Sequence, residues 1–191
     1  MPDLSNGYDD EAESFIANRS SIIGVSIVRS WAQSFLTGTW ILEIGCGDGI
    51  PITQTLIDEG LNVYAVDASP KMVSAFRKNF PDTPVICELA EQLHNIDRRF
   101  DAAIAWGLMF LLTPAMQKTV IQNVANVLNQ GGRFLFTSPS EAVTWTDIRT
   151  GRESMSLGAF EYRSLLSSAG LPLITEYDNE GANHYYEAKK G

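Results

Sequence analysis

Glu43, Gly45, Gly47 and Gly49 stand at alternate positions, and an aspartate, Asp67, follows about twenty residues beyond them. Glycine carries no Cβ, so alternate glycines let the main chain close on a ligand without side-chain clashes. A nicotinamide-dinucleotide turn calls for G-x-G-x-x-G/A, its last small residue allowing tight helix packing and its helix N-terminus facing a pyrophosphate. Here that last position is Ile50. Glu43, a carboxylate just upstream of the turn, suits the ammonium of an amino acid better than it suits a diphosphate. Asp67 closes a second apolar run, where a carboxylate can accept both hydroxyls of a ribose. The five residues together describe a site for a nucleoside joined to an amino acid.

Those residues need strands and helices to hold them, and the sequence supplies an alternation of short β-rich runs with stretches of helical period. Strands are expected at 39–44, 62–67, 84–88, 100–106, 132–138, 171–178 and 184–189. Helices fall between them. One runs from Pro51 to Glu59 and stops at Gly60; another opens at Ser69 and Pro70 and runs to about Asn79. A third spans 114–129 on Val120, Ile121, Val124, Val127 and Leu128, and is expected to end at Gly131-Gly132. Two more, near 10–19 and 22–36, precede the first strand and could cover the functional edge. Right-handed crossovers make the strands parallel and gather the strand-to-helix loops on one edge.

The motifs E-x-G-C-G-D-G at 43–49, VDAS at 66–69 with Pro70 and Met72 behind it, FDAAIAWG at 100–107 and VLNQGGRF at 127–134 resemble, in order and spacing, those of class I S-adenosylmethionine (SAM)-dependent methyltransferases. The resemblance covers roughly 39–138. It implies a three-layer α/β Rossmann-like sandwich with helices on both faces of a seven-stranded, mostly parallel sheet. The strand order would be 3-2-1-4-5-7-6, the last strand antiparallel, which the hairpin-like ending LPLITEYD … HYYEAKK suits. A single domain over 1–191 would then divide into an N-terminal cap at 1–38, a SAM-binding core at 39–138 and an acceptor side with a helix and hairpin at 139–191.

Carried onto this sequence, the family pattern puts the methionine moiety near Glu43, Gly45, Cys46 and Gly47 and the ribose on Asp67, with Ala68 and Met72 beside the adenine. CELAEQL aligns in two ways, so either Glu88 or Leu89 holds the position of the acid that reads the adenine edge, with Ala90 offering its amide. Arg19 is a candidate partner for the methionine carboxylate. Trp106, after the fourth strand, lies where this fold brings donor and acceptor together, and Phe110 follows it. The polar and aromatic stretch 138–158 reads as an acceptor lid carrying Trp145, Arg149, Arg152 and Met155. The two arginines are read either as surface ion pairs or as a grip on an anionic acceptor. The polar loop DNEGANHYY at 178–186 brings His184, the candidate general base, beside Tyr185. Asp9, Asp10, Glu11 and Glu13 read as a helix start and a solvated face.

Bulk properties narrow the acceptor. The 191 residues carry 14 Lys and Arg against 23 Asp and Glu, a net charge of −9, with a pI near 4.6. That balance opposes nucleic-acid phosphate. The [DNS]-P-P-[YFW] motif of nucleic-acid amino-methyltransferases is missing, as is a Pro-Cys nucleophile. No apolar run reaches the roughly 20 residues that span a bilayer, and 1–13 lacks the pattern of a leader. Cytoplasmic placement is expected. Cys46 and Cys87 give little reason for a disulfide, and with His94 and His184 the only histidines, no metal site is expected. The expected activity is methyl transfer from SAM, leaving S-adenosylhomocysteine (SAH), to O or N of a small molecule, by a monomer or homodimer. The alternatives are a non-catalytic SAM-binding sensor or partner subunit, a protein methyltransferase, and an NAD-dependent oxidoreductase.

Overall fold

A computed structural model describes residues 5–179 and 183–191. The elements in order are α1 (Ala12–Asn18), α2 (Val25–Ala32), β1 (Trp40–Ile44), α3 (Ile52–Asp58), β2 (Asn62–Asp67), α4 (Pro70–Asn79), β3 (Val85–Cys87), β4 (Phe100–Ala105), α5 (Pro114–Val127), β5 (Leu128–Thr137), β6 (Ala142–Thr146), β7 (Glu153–Leu157), α6 (Gly158–Ser168), β8 (Leu173–Asn179) and β9 (Asn183–Lys189). Among the described residues, seven strands form one sheet in the order β3-β2-β1-β4-β5-β9-β8. Pairing is parallel from β3 to β5, and β9 enters antiparallel between β5 and β8. This is the expected Rossmann-like architecture.

Strand side chains alternate between faces, and here both faces are buried, so the central strands carry near-continuous apolar runs. Leu42, Ala103, Phe134 and Phe136 join one cluster, filled from outside by Val120, Ile121 and Val124 of α5 and Tyr162 and Leu166 of α6. Ile41, Ala102, Ile104 and Leu135 join the other, filled by Val28 and Trp31 of α2, Leu56 of α3 and Phe76 of α4. Ser69 caps α4 by accepting the Met72 amide at 3.1 Å, with Pro70 behind it in the first turn. Thr113 and Pro114 repeat that arrangement at α5.

The structure departs from the sequence reading in three places. First, α5 ends at Val127 and the chain enters β5 at once, so the glycine pair does not stop the helix. Gly131, at φ +74, lies where the β4–β5 register slips: Phe100 faces Leu128, but Ala102 faces Arg133. A left-handed glycine is suited to such a bulge. Second, the stretch read as a lid folds into a hairpin of its own, β6 paired antiparallel to β7. Third, the two N-terminal helices separate: α2 packs on the sheet with α3, while α1 and the segment from Ser5 to Tyr8 lie along the carboxyl ends of the strands.

Candidate cofactor and acceptor site

The carboxyl ends of β1 to β4 open into a cavity of about 520 Å³. The glycine turn forms its floor. Gly45, Gly47 and Gly49 all have positive φ, +72, +57 and +88. Their duties differ. A Cβ on Gly49 would stand 2.3 Å from Phe80, so that glycine serves the packing of α4. A Cβ on Gly47 would meet nothing nearer than Met72 Sδ at 4.0 Å, so its open side belongs to the cavity.

The Gly47 amide donates to Asp67 Oδ2 at 2.8 Å, and the Ser69 amide to Oδ1 at 2.9 Å. These bonds fix the carboxylate at the tip of β2 against the turn after β1. Burial raises the Asp67 carboxyl, the two amides pulling it back down. Glu43 is deeper, 3% exposed, and accepts the Thr53 hydroxyl at 2.6 Å. Burial lifts its carboxyl from 4.5 to about 8 against that hydrogen bond, with the neighbouring Asp67 and Asp48 adding to the rise. A buried acid so placed gains by ionising beside a cation.

Arg19, at the end of α1, donates to Asp48 Oδ2 at 2.5 Å, and its buried Nε has no hydrogen-bond partner among the described residues. An unsatisfied guanidinium nitrogen at a cavity wall fits the carboxylate of an incoming ligand. All twelve residues expected around the cofactor line this one cavity: Arg19, Glu43, Gly45, Cys46, Gly47, Asp67, Ala68, Met72, Glu88, Leu89, Ala90 and Trp106. Cys46 is buried and Cys87 exposed; both are free. A family profile described as a methyltransferase domain matches residues 41–132, from β1 into β5. This match, with the relatives and the solved structure that follow, supports a class I SAM-dependent methyltransferase. It is 28% identical over 154 residues to an uncharacterized methyltransferase of Synechocystis sp., a match covering 73% of this chain and 70% of the relative. It is 32% identical over 107 residues to an uncharacterized methyltransferase of Mycobacterium tuberculosis, covering 55% of this chain and 42% of that one. The chain thus spans under half the length of the mycobacterial relative. Among solved structures, magnesium protoporphyrin IX methyltransferase from Synechocystis PCC 6803, with bound SAM, superposes with a TM-score of 0.76 at 14% identity, over 100% of this chain and 98% of that one.

The acceptor candidates divide. Phe110, Arg149 and Arg152 line the same cavity. Trp145 does not; its ring lies 5.6 Å from that of Phe110, on the wall of a second cavity of about 180 Å³. Among the described residues, Met155 and Tyr185 line neither. Met155 lies in β7 and its carbonyl accepts Gln117 Nε2 at 3.2 Å. Tyr185 is fully buried, stacks on Tyr177 and accepts the Trp106 indole N–H at 3.0 Å, so it holds Trp106 from behind. Tyr185 packs within the second apolar cluster and Met155 pairs with Thr144 across the hairpin, which keeps both off the cavity walls.

His184 is in β9 rather than in a loop, paired across from Asp178. Of that predicted loop, 178–186, residues 178–179 belong to β8 and 183–186 to β9, and 180–182 lies outside the described residues. His184 Nδ1 is 2.7 Å from Asp178 Oδ1, while its buried Nε2 has no hydrogen-bond partner among the described residues and stands 4.0 Å from Glu176 Oε2. It lines the second cavity, not the first, but Phe110 and Asn183 line both. His94 is exposed.

Several cavity residues escaped the sequence reading. Tyr8 and Phe15 come from the N-terminal segment, their rings 5.4 Å apart edge to face. Asp9, read as a solvated acid, accepts the Ser69 hydroxyl at 2.6 Å and the Lys71 amide at 3.0 Å. Asp48, inside the glycine turn itself, is 2% exposed and accepts Arg19. Its position between two glycines of that turn was the available signal; for Tyr8 and Asp9 the sequence has none.

Proposed function

We propose that the chain transfers a methyl group from SAM to O or N of a small molecule. The observation that carries the proposal is the floor of the cavity, where the open side of Gly47, the Asp67 carboxylate and the buried Glu43 converge. In this reading Asp67 accepts the ribose hydroxyls and Glu43 faces the amino acid ammonium, directly or through water. Arg19 Nε takes the carboxylate. Ala68 and Met72 flank the adenine, Glu88 or Leu89 stands at its edge, and Ala90 offers its amide.

When bound, SAM supplies an electrophilic methyl, whose bond to sulfur breaks as an acceptor lone pair forms the new bond. The chain's part is mostly positioning, which in favourable intramolecular reactions is worth roughly 7–11 kcal/mol. Trp106 and Phe110 present the acceptor. For an acceptor that must lose a proton, His184 is the base, its Nδ1 held by Asp178 and its Nε2 left to receive. The acidic surface and the small-molecule substrate named for the magnesium protoporphyrin IX methyltransferase support a small acceptor here.

Titration with SAM, SAH and NADH tests the cofactor. A ligand at one hundred times its Kd stabilises the protein by about 2.7 kcal/mol, several degrees of Tm at this size. SAM and SAH are expected to give that shift and NADH none; the reverse pattern overturns the proposal. Release of SAH over a metabolite panel then separates an enzyme from a sensor. Tight binding with no turnover on any acceptor favours the sensor.

A further inference from the structure

The charges around the cavity are sorted by element. Acids come from the carboxyl ends of the sheet strands and the segments that follow them: Glu43, Asp48, Asp67, Glu88 and Glu91, with Arg19 beside Asp48. Away from the sheet, the turn between β6 and β7 brings two arginines, Arg149 and Arg152, to the cavity wall. Asp147, the acid of that turn, is buried and already bonded by the Arg149 and Thr150 amides and the Tyr8 hydroxyl.

Arg149 lies with its guanidinium carbon 5.3 Å from the Phe15 ring centre. Among the described residues, no acid comes within ion-pair distance of that guanidinium. In a chain where acids outnumber bases 23 to 14, a cation on a cavity wall with no carboxylate beside it among the described residues is against the odds. Stacking on Phe15 holds the guanidinium plane and leaves its N–H edge available, and such an edge matches the two oxygens of a carboxylate. The nearby walls, Phe15 and Phe110, are flat and apolar.

We propose that the acceptor is an aromatic carboxylate: a ring seated between Phe15 and Phe110, its carboxylate gripped by Arg149 and Arg152, and a separate ring O or N presented for methylation. The inference rests on the methyltransferase reading of the same cavity, and it assigns the β6–β7 turn the task of choosing anions.

The test uses SAH-loaded full-length protein and two probes of nearly equal shape, 4-hydroxybenzoate and neutral 4-hydroxybenzamide, compared by calorimetry or ligand-observed NMR. Charge-assisted contacts should favour the acid by about tenfold at low salt, and 0.5 M NaCl should shrink that preference. The double variant Arg149→Gln, Arg152→Gln should lose the preference while holding SAH within about twofold, the readout that separates a lost anion grip from a damaged fold. Equal affinity for the two probes, affinity for neither, or a preference that survives in the double variant overturns the inference. Failure of the wild-type protein to bind SAH would instead overturn the cofactor reading.

Discussion

The main-chain N–H of Gly47 donates to Asp67 Oδ2 at 2.8 Å, so the turn after β1 and the acid ending β2 form one rigid unit. β1 and β2 pair in parallel register, with Glu43 opposite Ala65 and Ile44 opposite Val66, which brings the two strand tips level. Removing the carboxylate in Asp67→Ala deletes the ribose acceptor and strands the Gly47 and Ser69 amides. Hydrogen bonds to a charged group are worth about 1.5–3 kcal/mol, so SAH affinity should fall on the order of 100-fold in calorimetry. Wild-type affinity in the variant would remove Asp67 from the site.

Two glycines of one turn should respond differently to alanine. At Gly49, φ is +88 and the new methyl would meet Phe80, so Gly49→Ala should lose roughly 3 kcal/mol of stability, seen as a drop in Tm. At Gly47 the added methyl enters the cavity. Gly47→Ala should lose only about 1 kcal/mol, the strain of a left-handed alanine, but lower SAH affinity steeply. Equal Tm losses in the two variants would contradict this division.

Glu43 should make the ligand-free protein sensitive to pH. Its folded carboxyl is raised from 4.5 to about 8, so its contribution to stability is fully present below 4.5 and is lost as pH rises through 8. The span sets an upper bound of roughly 5 kcal/mol. Glu43→Gln should therefore flatten the decline of Tm from pH 5 to 8. An ammonium beside Glu43 favours its charged form, so SAH binding at pH 7 should release a proton, up to one per site, that the variant does not release. Calorimetry in buffers of different ionisation enthalpy measures that proton; none released by the wild type would separate Glu43 from the ammonium.

His184→Ala tests the base. General-base catalysis contributes typically 10²- to 10⁴-fold, so kcat for an acceptor that must be deprotonated should fall at least about 100-fold. SAH affinity should hold, because His184 lies on the second cavity and away from the glycine turn. An unchanged kcat would reassign the Asp178–His184 pair to holding β8 against β9.

How far the sequence could be read follows from which interactions are local. Glu43, Gly47 and Asp67 are legible because a strand, a turn and a cap each leave a short signature, and parallel crossovers then force their ends together. His184 and Tyr185 are adjacent in sequence but fall on opposite faces of β9, so their fates depend on pairing with β8 and β5, which no local pattern discloses. The hairpin β6–β7 was hidden because its strands are short and largely polar, and Tyr8 meets Asp147 across 139 residues.

That N-terminal segment carries the remaining prediction. Asp9 accepts the Ser69 hydroxyl and the Lys71 amide at the start of α4, two residues beyond Asp67, while Tyr8 donates to Asp147 at 3.3 Å on the β6–β7 turn. Tyr8 and Asp9, neighbours in sequence, thus tie this segment to two separate elements, and Ser5, Asn6 and Tyr8 line the cavity wall. A ligand leaving past this segment would have to break those ties. Losing a capping acceptor costs about 1 kcal/mol, so Asp9→Ala should speed SAH dissociation about fivefold in stopped-flow displacement. Asp9→Asn keeps an acceptor oxygen and drops the charge that raises the Asp67 carboxyl, so it separates the two roles. If the tie controls escape, Asn should dissociate SAH at nearly the wild-type rate and Ala should not. If charge on Asp67 controls it, both variants should change alike.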